Sequence, residues 1–147
     1  MDEMRRIIPI GADHAGFELK EKVIDFLQKE GHTVIDKGTY SGERADYSDF
    51  AHAVAEIVQK DGTQPGILMC GSGNGIAISA NRHKGVRAAL CWNAEIAALA
   101  RQHNNANILV LPARFISEEE AFKCVKTFLN TAFEGGRHQN RVEKIEC

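Results

Sequence analysis

The sequence predicts a doubly wound α/β domain: a five-stranded parallel sheet with helices on both faces. Three observations predict it. Five short apolar runs alternate with amphipathic stretches at helical spacing. Strands joined by helices run parallel, because each crossover helix packs back onto the sheet. The runs are also apolar throughout rather than alternating, as strands buried on both faces are.

Each element follows from local pattern. Residues 6–10 read as a first strand. Leu19, Val23, Phe26 and Leu27 recur at i, i+4, i+7 and i+8, one face of a helix that Gly31 stops. Thr33–Asp36 is a second strand. After a polar loop, Phe50, Val54, Ile57 and Val58 repeat the helical spacing, and Pro65 and Gly66 punctuate before a third strand at 67–70. A glycine-rich run at 71–75 opens a helix over 76–82. Residues 86–91 form a fourth strand, 94–104 a helix and 108–111 a fifth strand. Ser117 followed by Glu118, Glu119 and Glu120 is a strong helix start, a hydroxyl cap with carboxylates in the positive first turn. Gly135 and Gly136 then break the chain before a basic tail at 135–147. A chain of 147 residues fits one domain without linker or repeat.

Composition narrows the function. Eighteen basic against twenty acidic residues give a net charge of −2, which supplies no electrostatic reason for nucleic acid or an anionic membrane as partner. No apolar stretch approaches the ~20 residues that span a bilayer, and the first residues lack a secretory pattern, so a cytoplasmic protein is expected. Cys70, Cys91, Cys124 and Cys147 form no CxxC pair, which reads as reduced thiols rather than a disulfide framework. No Cys or His spacing matches a zinc site, so no metal is expected.

In doubly wound sheets ligands bind at the carboxyl ends of the strands, which directs attention to the strand ends. The first strand leads into Asp13 and His14. An Asp there is commonly a helix N-cap, and a substrate contact is the sharper reading. The third leads into Cys70, Gly71, Ser72, Gly73, Asn74 and Gly75, a run able to aim several amides at one anion. Neither a P-loop nor a dinucleotide fingerprint fits: Phe17 follows Gly16 where the P-loop needs Lys, and Ile76 stands where the other needs Gly. Cys70 is either a reactive thiol beside these amides or a small buried hydrophobe. His103 lies on the apolar face near a helix end, where a satisfied, half-buried histidine is the ordinary meaning. His32, His52 and His83 read as surface residues. Arg114 follows the fifth strand, and Arg137, His138 and Arg141 share a face of the tail, either a solvated basic surface or a phosphate clamp.

Taken together, residues 11–16, 36–39, 46–47, 70–75, 101–104 and 135–141 resemble, in order and nearly from end to end, the type B ribose-5-phosphate isomerases, a family that also holds sugar-6-phosphate isomerases. The resemblance implies a Rossmann-like fold and a cofactor-free aldose–ketose isomerase of ribose 5-phosphate and ribulose 5-phosphate. It also implies a homodimer with shared active sites, with a tetramer possible. Cys70 would be the base, His103 would open the sugar ring with Asn104 beside it, and Ser72 would assist proton movement. Asp13 would bind sugar oxygens and the amides of Gly71, Ser72, Gly73, Asn74 and Gly75 the enediolate. His14, Arg114, Arg137 and Arg141 map onto phosphate-binding positions and Tyr47 onto a substrate-facing aromatic. Some members replace the Cys by a Glu just after the loop; here that position is Ile76 and Cys70 is present. The alternatives are an isomerase of allose or galactose 6-phosphate, a non-catalytic sugar-phosphate sensor, and, weakest, a nucleotide-binding module.

Overall fold

The computed structural model describes residues 4–147. In chain order the elements are β1 (Ile7–Ala12), α1 (Phe17–Lys29), β2 (Thr33–Asp36), α2 (Tyr47–Asp61), β3 (Gly66–Cys70), α3 (Asn74–Ala80), β4 (Ala88–Leu90), α4 (Ala94–Asn104), β5 (Ile108–Pro112), α5 (Glu118–Asn130) and α6 (Arg137–Glu143), with a single 3-10 turn at Ala113–Phe115. The five strands form one sheet in the order β2-β1-β3-β5-β4, and every pairing is parallel. The expected fold class is therefore the observed one.

Two apolar layers sandwich the sheet. On one face Leu19, Val23 and Leu27 of α1, Ala97 and Ala100 of α4, and Val125 and Phe128 of α5 pack on Ile8, Ile10, Met69 and Leu109. On the other, Ala51, Val54 and Val58 of α2 and Ile76 and Ala80 of α3 pack on Leu68, Ile108 and Val110. β3 and β5 are buried along their whole length, as central parallel strands must be.

The connections diverge at the centre. From β1 the chain turns onto the α1 face and moves to β2 on one side; from β3 it turns onto the α3 face and moves to β4 on the other. Neighbouring strands whose continuations part in this way leave an open crevice between their carboxyl ends. Asp13 and Cys70 stand at those two ends.

Some local expectations shift. The first strand runs on to Ala12, because Lys37 and Thr39 donate to the Ile10 and Ala12 carbonyls and Ala12 to Gly38, extending its bonded edge. The fourth strand is shorter than expected, three residues at the sheet's edge. The basic tail is a helix, α6, which buries His138 while leaving Arg137 and Arg141 exposed. His32 is also buried rather than on the surface, its Nδ1 accepting the Arg6 amide at 3.1 Å. His52 and His83 are half-buried and hydrogen-bonded to each other at 2.8 Å.

The first turn of α1 presses directly on β3. A Cβ built at Gly16 would stand 2.6 Å from the Met69 carbonyl oxygen, so only glycine permits this approach. Gly16→Ala is expected to destabilise the fold by about 1–3 kcal/mol. A urea titration of the purified variant measures it, and an unchanged midpoint would contradict the packing.

Candidate active site

The carboxyl edge of the sheet collects most of the residues singled out from sequence. Asp13 is buried at 6% exposure, and one carboxylate oxygen accepts the amides of Ala15 and Gly16 at 2.9 and 3.1 Å. That bond closes the turn into α1, although the helix's formal cap is Gly16, and it leaves the second oxygen for other partners. His14 Nδ1 lies 3.2 Å from the Ala45 amide and 3.3 Å from the Ala45 carbonyl, accepting from the one or donating to the other according to its tautomer. Ala45 also fixes the loop that leads to Tyr47.

Cys70 ends β3 at 4% exposure, with the glycine run immediately after it. Gly73 takes φ +82°, and a Cβ there would lie 2.4 Å from Leu90 Cδ1, so the turn needs glycine on both counts. Ser72 is exposed, and its Oγ accepts the Asn74 amide at 3.2 Å and the Asn74 side-chain amide at 3.3 Å. The first-turn amides of α3 have no acceptor within the helix and open onto the same edge. The Tyr47 ring covers Gly75, where a Cβ would come within 2.6 Å of its Cζ. Arg114 donates its amide to the Gly71 carbonyl at 2.9 Å, and its guanidinium lies against Gly71. Thus Asp13, His14, Tyr47, Cys70, the 71–75 loop and Arg114 gather from four separate segments.

The other residues do not join them. His103 and Asn104 end α4, which runs antiparallel to the strands and finishes at the opposite edge. There Asn107, just beyond it, accepts the amide of Gly66, the first residue of β3. Cys70 is the last residue of that strand, roughly 13 Å away at the usual rise. α6 packs on α4, the Glu134 amide donates to the Gln102 carbonyl at 3.1 Å, and the His103 and His138 rings stack with centroids 4.3 Å apart. Arg137 and Arg141 accordingly sit with His103. His138 and Glu134, paired at 3.4 Å, lie beside His103, a contact no spacing rule points to because thirty-four residues separate His103 from His138.

The four thiols differ. Burial pushes Cys91 and Cys124 up to about 12, with smaller contributions from the Cys124 sulfur on the one and the Glu120 carboxylate on the other. Cys147 is exposed, and all four are unpaired. Among the described residues, His103, Glu134 and His138 form the one cluster with metal-ligand proximity, their donor atoms within 4.8 Å of one another.

The chain from residue 8 to 145 matches the family model described as Ribose/Galactose Isomerase. The chain belongs to that family. Among its members, ribose-5-phosphate isomerase B of Escherichia coli is 46% identical over 138 residues, 94% of this chain and 93% of that protein. A solved ribose 5-phosphate isomerase from Thermotoga maritima superimposes with a TM-score of 0.95 at 52% identity, covering 97% of this chain and 99% of that one. Ribose-5-phosphate isomerase B from Mycoplasma genitalium, solved with bound ribulose-5-phosphate, gives 0.92 at 46% identity over 97% and 95%. In this chain the candidate residues are split between the two edges of the sheet.

The thiol contrast is measurable. Iodoacetamide at about pH 8 is expected to label Cys147 promptly while Cys91 and Cys124 stay unmodified in the folded protein. Peptide mass spectrometry over a time course reads it, and prompt labelling of Cys91 or Cys124 would contradict their burial.

Proposed function

We propose that the protein interconverts ribose 5-phosphate and ribulose 5-phosphate as an aldose–ketose isomerase. The observation that carries this reading is the likeness, nearly end to end, to an isomerase solved with ribulose-5-phosphate bound. The chemistry of the crevice supports it. Isomerisation needs one base that can serve two adjacent carbons and a site that holds an enediolate; it calls for no hydride carrier.

In this reading the Cys70 thiolate removes the proton from carbon 2 of the open-chain aldose. The electron pair forms the carbon 1–carbon 2 double bond of the enediolate, and the amides of the 71–75 loop stabilise the negative oxygen. The thiol returns the proton to carbon 1, while Ser72 assists transfer of the hydroxyl proton from oxygen 2 to oxygen 1. Asp13 holds sugar hydroxyls with its unoccupied oxygen, and Tyr47 walls the sugar. His103 opens the ring with Asn104 alongside. His14, Arg114, Arg137 and Arg141 hold the phosphate, whose binding energy positions the reacting carbons. A thiol base suits the reducing cytoplasm, where it stays free.

The split of these residues between two edges supports a homodimer whose sites are shared. β4 is a three-residue edge strand, and large apolar side chains lie exposed on the elements around it: Ile78 of α3 (67%), Trp92 after β4 (53%) and Ile145 after α6 (50%). Two copies joined antiparallel along that edge would set the carboxyl edge of one sheet beside the amino edge of the other, bringing His103 towards the partner's Cys70.

Cys70→Ala is expected to lower turnover of ribose 5-phosphate by roughly a hundred- to ten-thousandfold while the protein stays folded. Allose 6-phosphate and galactose 6-phosphate, assayed in parallel, are expected to turn over more slowly than the pentose. Retained activity in the variant would remove Cys70 as the base; a preference for a hexose phosphate would keep the mechanism and change the substrate.

A further inference from the structure

A second cleft lies at the amino edge of the sheet, on the side of the molecule away from Cys70. It encloses about 210 Å3 and is lined by Arg6, Arg87 and Arg101, with Gln64, Asn107 and Phe128 in its walls and no acidic side chain. The three guanidinium groups are contributed by the start of β1, the approach to β4 and the last turn of α4.

Each is anchored without being neutralised. Arg6 donates from Nη2 to the Leu129 carbonyl at 3.0 Å. Arg87 donates from Nε to the Asn105 carbonyl at 2.8 Å and from Nη1 to the Gly85 carbonyl at 3.3 Å. Arg101 donates from Nε to the Thr131 carbonyl at 3.0 Å, and from Nη1 to Asn105 Oδ1 at 3.0 Å and the Ala106 carbonyl at 2.6 Å. Every acceptor is uncharged. Among the described residues no carboxylate pairs with any of the three; Glu146, which accepts the Gly85 amide, reaches Arg87 only through its field.

Tying down the last carbonyls of α4 and α5 accounts for part of this arrangement. It does not use all the donors. A guanidinium has five N–H groups; Arg6 Nε and Nη1 and the Nη2 atoms of Arg87 and Arg101 make none of these bonds, and no side-chain nitrogen is buried without a partner among the described residues, so these donors are open to a ligand. Burial lowers the pKa of both Arg87 and Arg101; the charges of Arg6 and Arg87 lower that of Arg101 further, while Glu146 partly offsets the effect on Arg87. Three like charges on neutral anchors in a partly desolvated concavity favour a multiply charged anion that meets several forked donors at once.

We propose that this cleft is a second oxyanion site, taking a phosphate dianion, free or as a phosphomonoester, separate from the crevice at the carboxyl edge. Gln64 offers a test that spares the arginines. Its Oε1 accepts the Ile7 amide at 3.2 Å, so Gln64→Glu keeps that acceptor and adds a negative charge to the cleft.

The protein for the experiment carries Arg137→Gln and Arg141→Gln, which weaken the phosphate grip expected at the catalytic site. Calorimetric titration with inorganic phosphate at low ionic strength should show one site per chain. Adding Gln64→Glu should weaken it roughly tenfold, the weight of one charge-assisted hydrogen bond, and raise Tm in phosphate-free buffer. Arg6→Gln, which loses a single bond to Leu129, should weaken it likewise and serves if Gln64→Glu does not fold. Repeating the titration with glycerol 3-phosphate decides the source: tighter binding than inorganic phosphate names an organic phosphate, weaker binding the free ion. No phosphate binding, or binding untouched by Gln64→Glu and Arg6→Gln, overturns the proposal.

Discussion

Parallel neighbours cannot both be followed by helices on the same face and still lead outward in opposite directions; right-handed crossovers forbid it. β1 and β3 obey that constraint, with α1 on one face and α3 on the other, and the crevice between their ends is what remains unfilled. The rest of the candidate site hangs on this gap. It gives Asp13 and Cys70 adjacent strand ends and directs the first turns of two helices at one space. It also allows the α2 loop to bring Tyr47 over Gly75 from the side. Close backbone approach is the local condition: α1 meets the Met69 carbonyl at Gly16, and Gly73 clears Leu90. Chemistry that stabilises an enediolate by fixed amides depends on a loop held this tightly, because donors that must reorganise lose much of their effect.

The same handedness explains why the candidate residues are split between the two edges of the sheet. Helices return antiparallel to the strands, so a residue at the end of α4 is carried to the edge opposite Cys70. His103 is held there by its stack on His138 and by the Glu134 amide on Gln102. The proposed sharing of sites would follow from where the fold puts its helix ends, and Trp92 and Ile78 stand exposed beside β4, on the edge where that proposal joins two copies.

Much of this was legible in the residues. Thr33–Asp36 and Ala94–Asn104 match their expected bounds, and Ser117 caps α5 by accepting the Glu120 amide at 3.1 Å. These elements carry strong periodicity or explicit stop and start signals. Other features depend on contacts between distant segments. The tail at 135–147 has no long periodic pattern; its helix forms against α4, which is why His138 turns inward when its neighbours suggest a uniformly basic face. Asp13, His14, Cys70 and Arg114 were found by the strand-end rule. Arg6 and Arg87 carry no signal because no rule points to the amino edge and each alone looks like an ordinary surface cation; Arg101 enters only as the first residue of the 101–104 segment. That His103 and Cys70 lie at opposite edges follows from topology, which a list of motifs does not contain.

The central claim is that a working site takes Cys70 from one chain and His103 from another. Mixing the inactive variants Cys70→Ala and His103→Ala, after dissociation and reassembly, tests it most directly. Hybrid dimers would hold one site with both residues intact and one with neither, so a random mixture should recover about a quarter of wild-type turnover. Activity no greater than the sum of the two parents would contradict the claim and place both residues' work within a single chain.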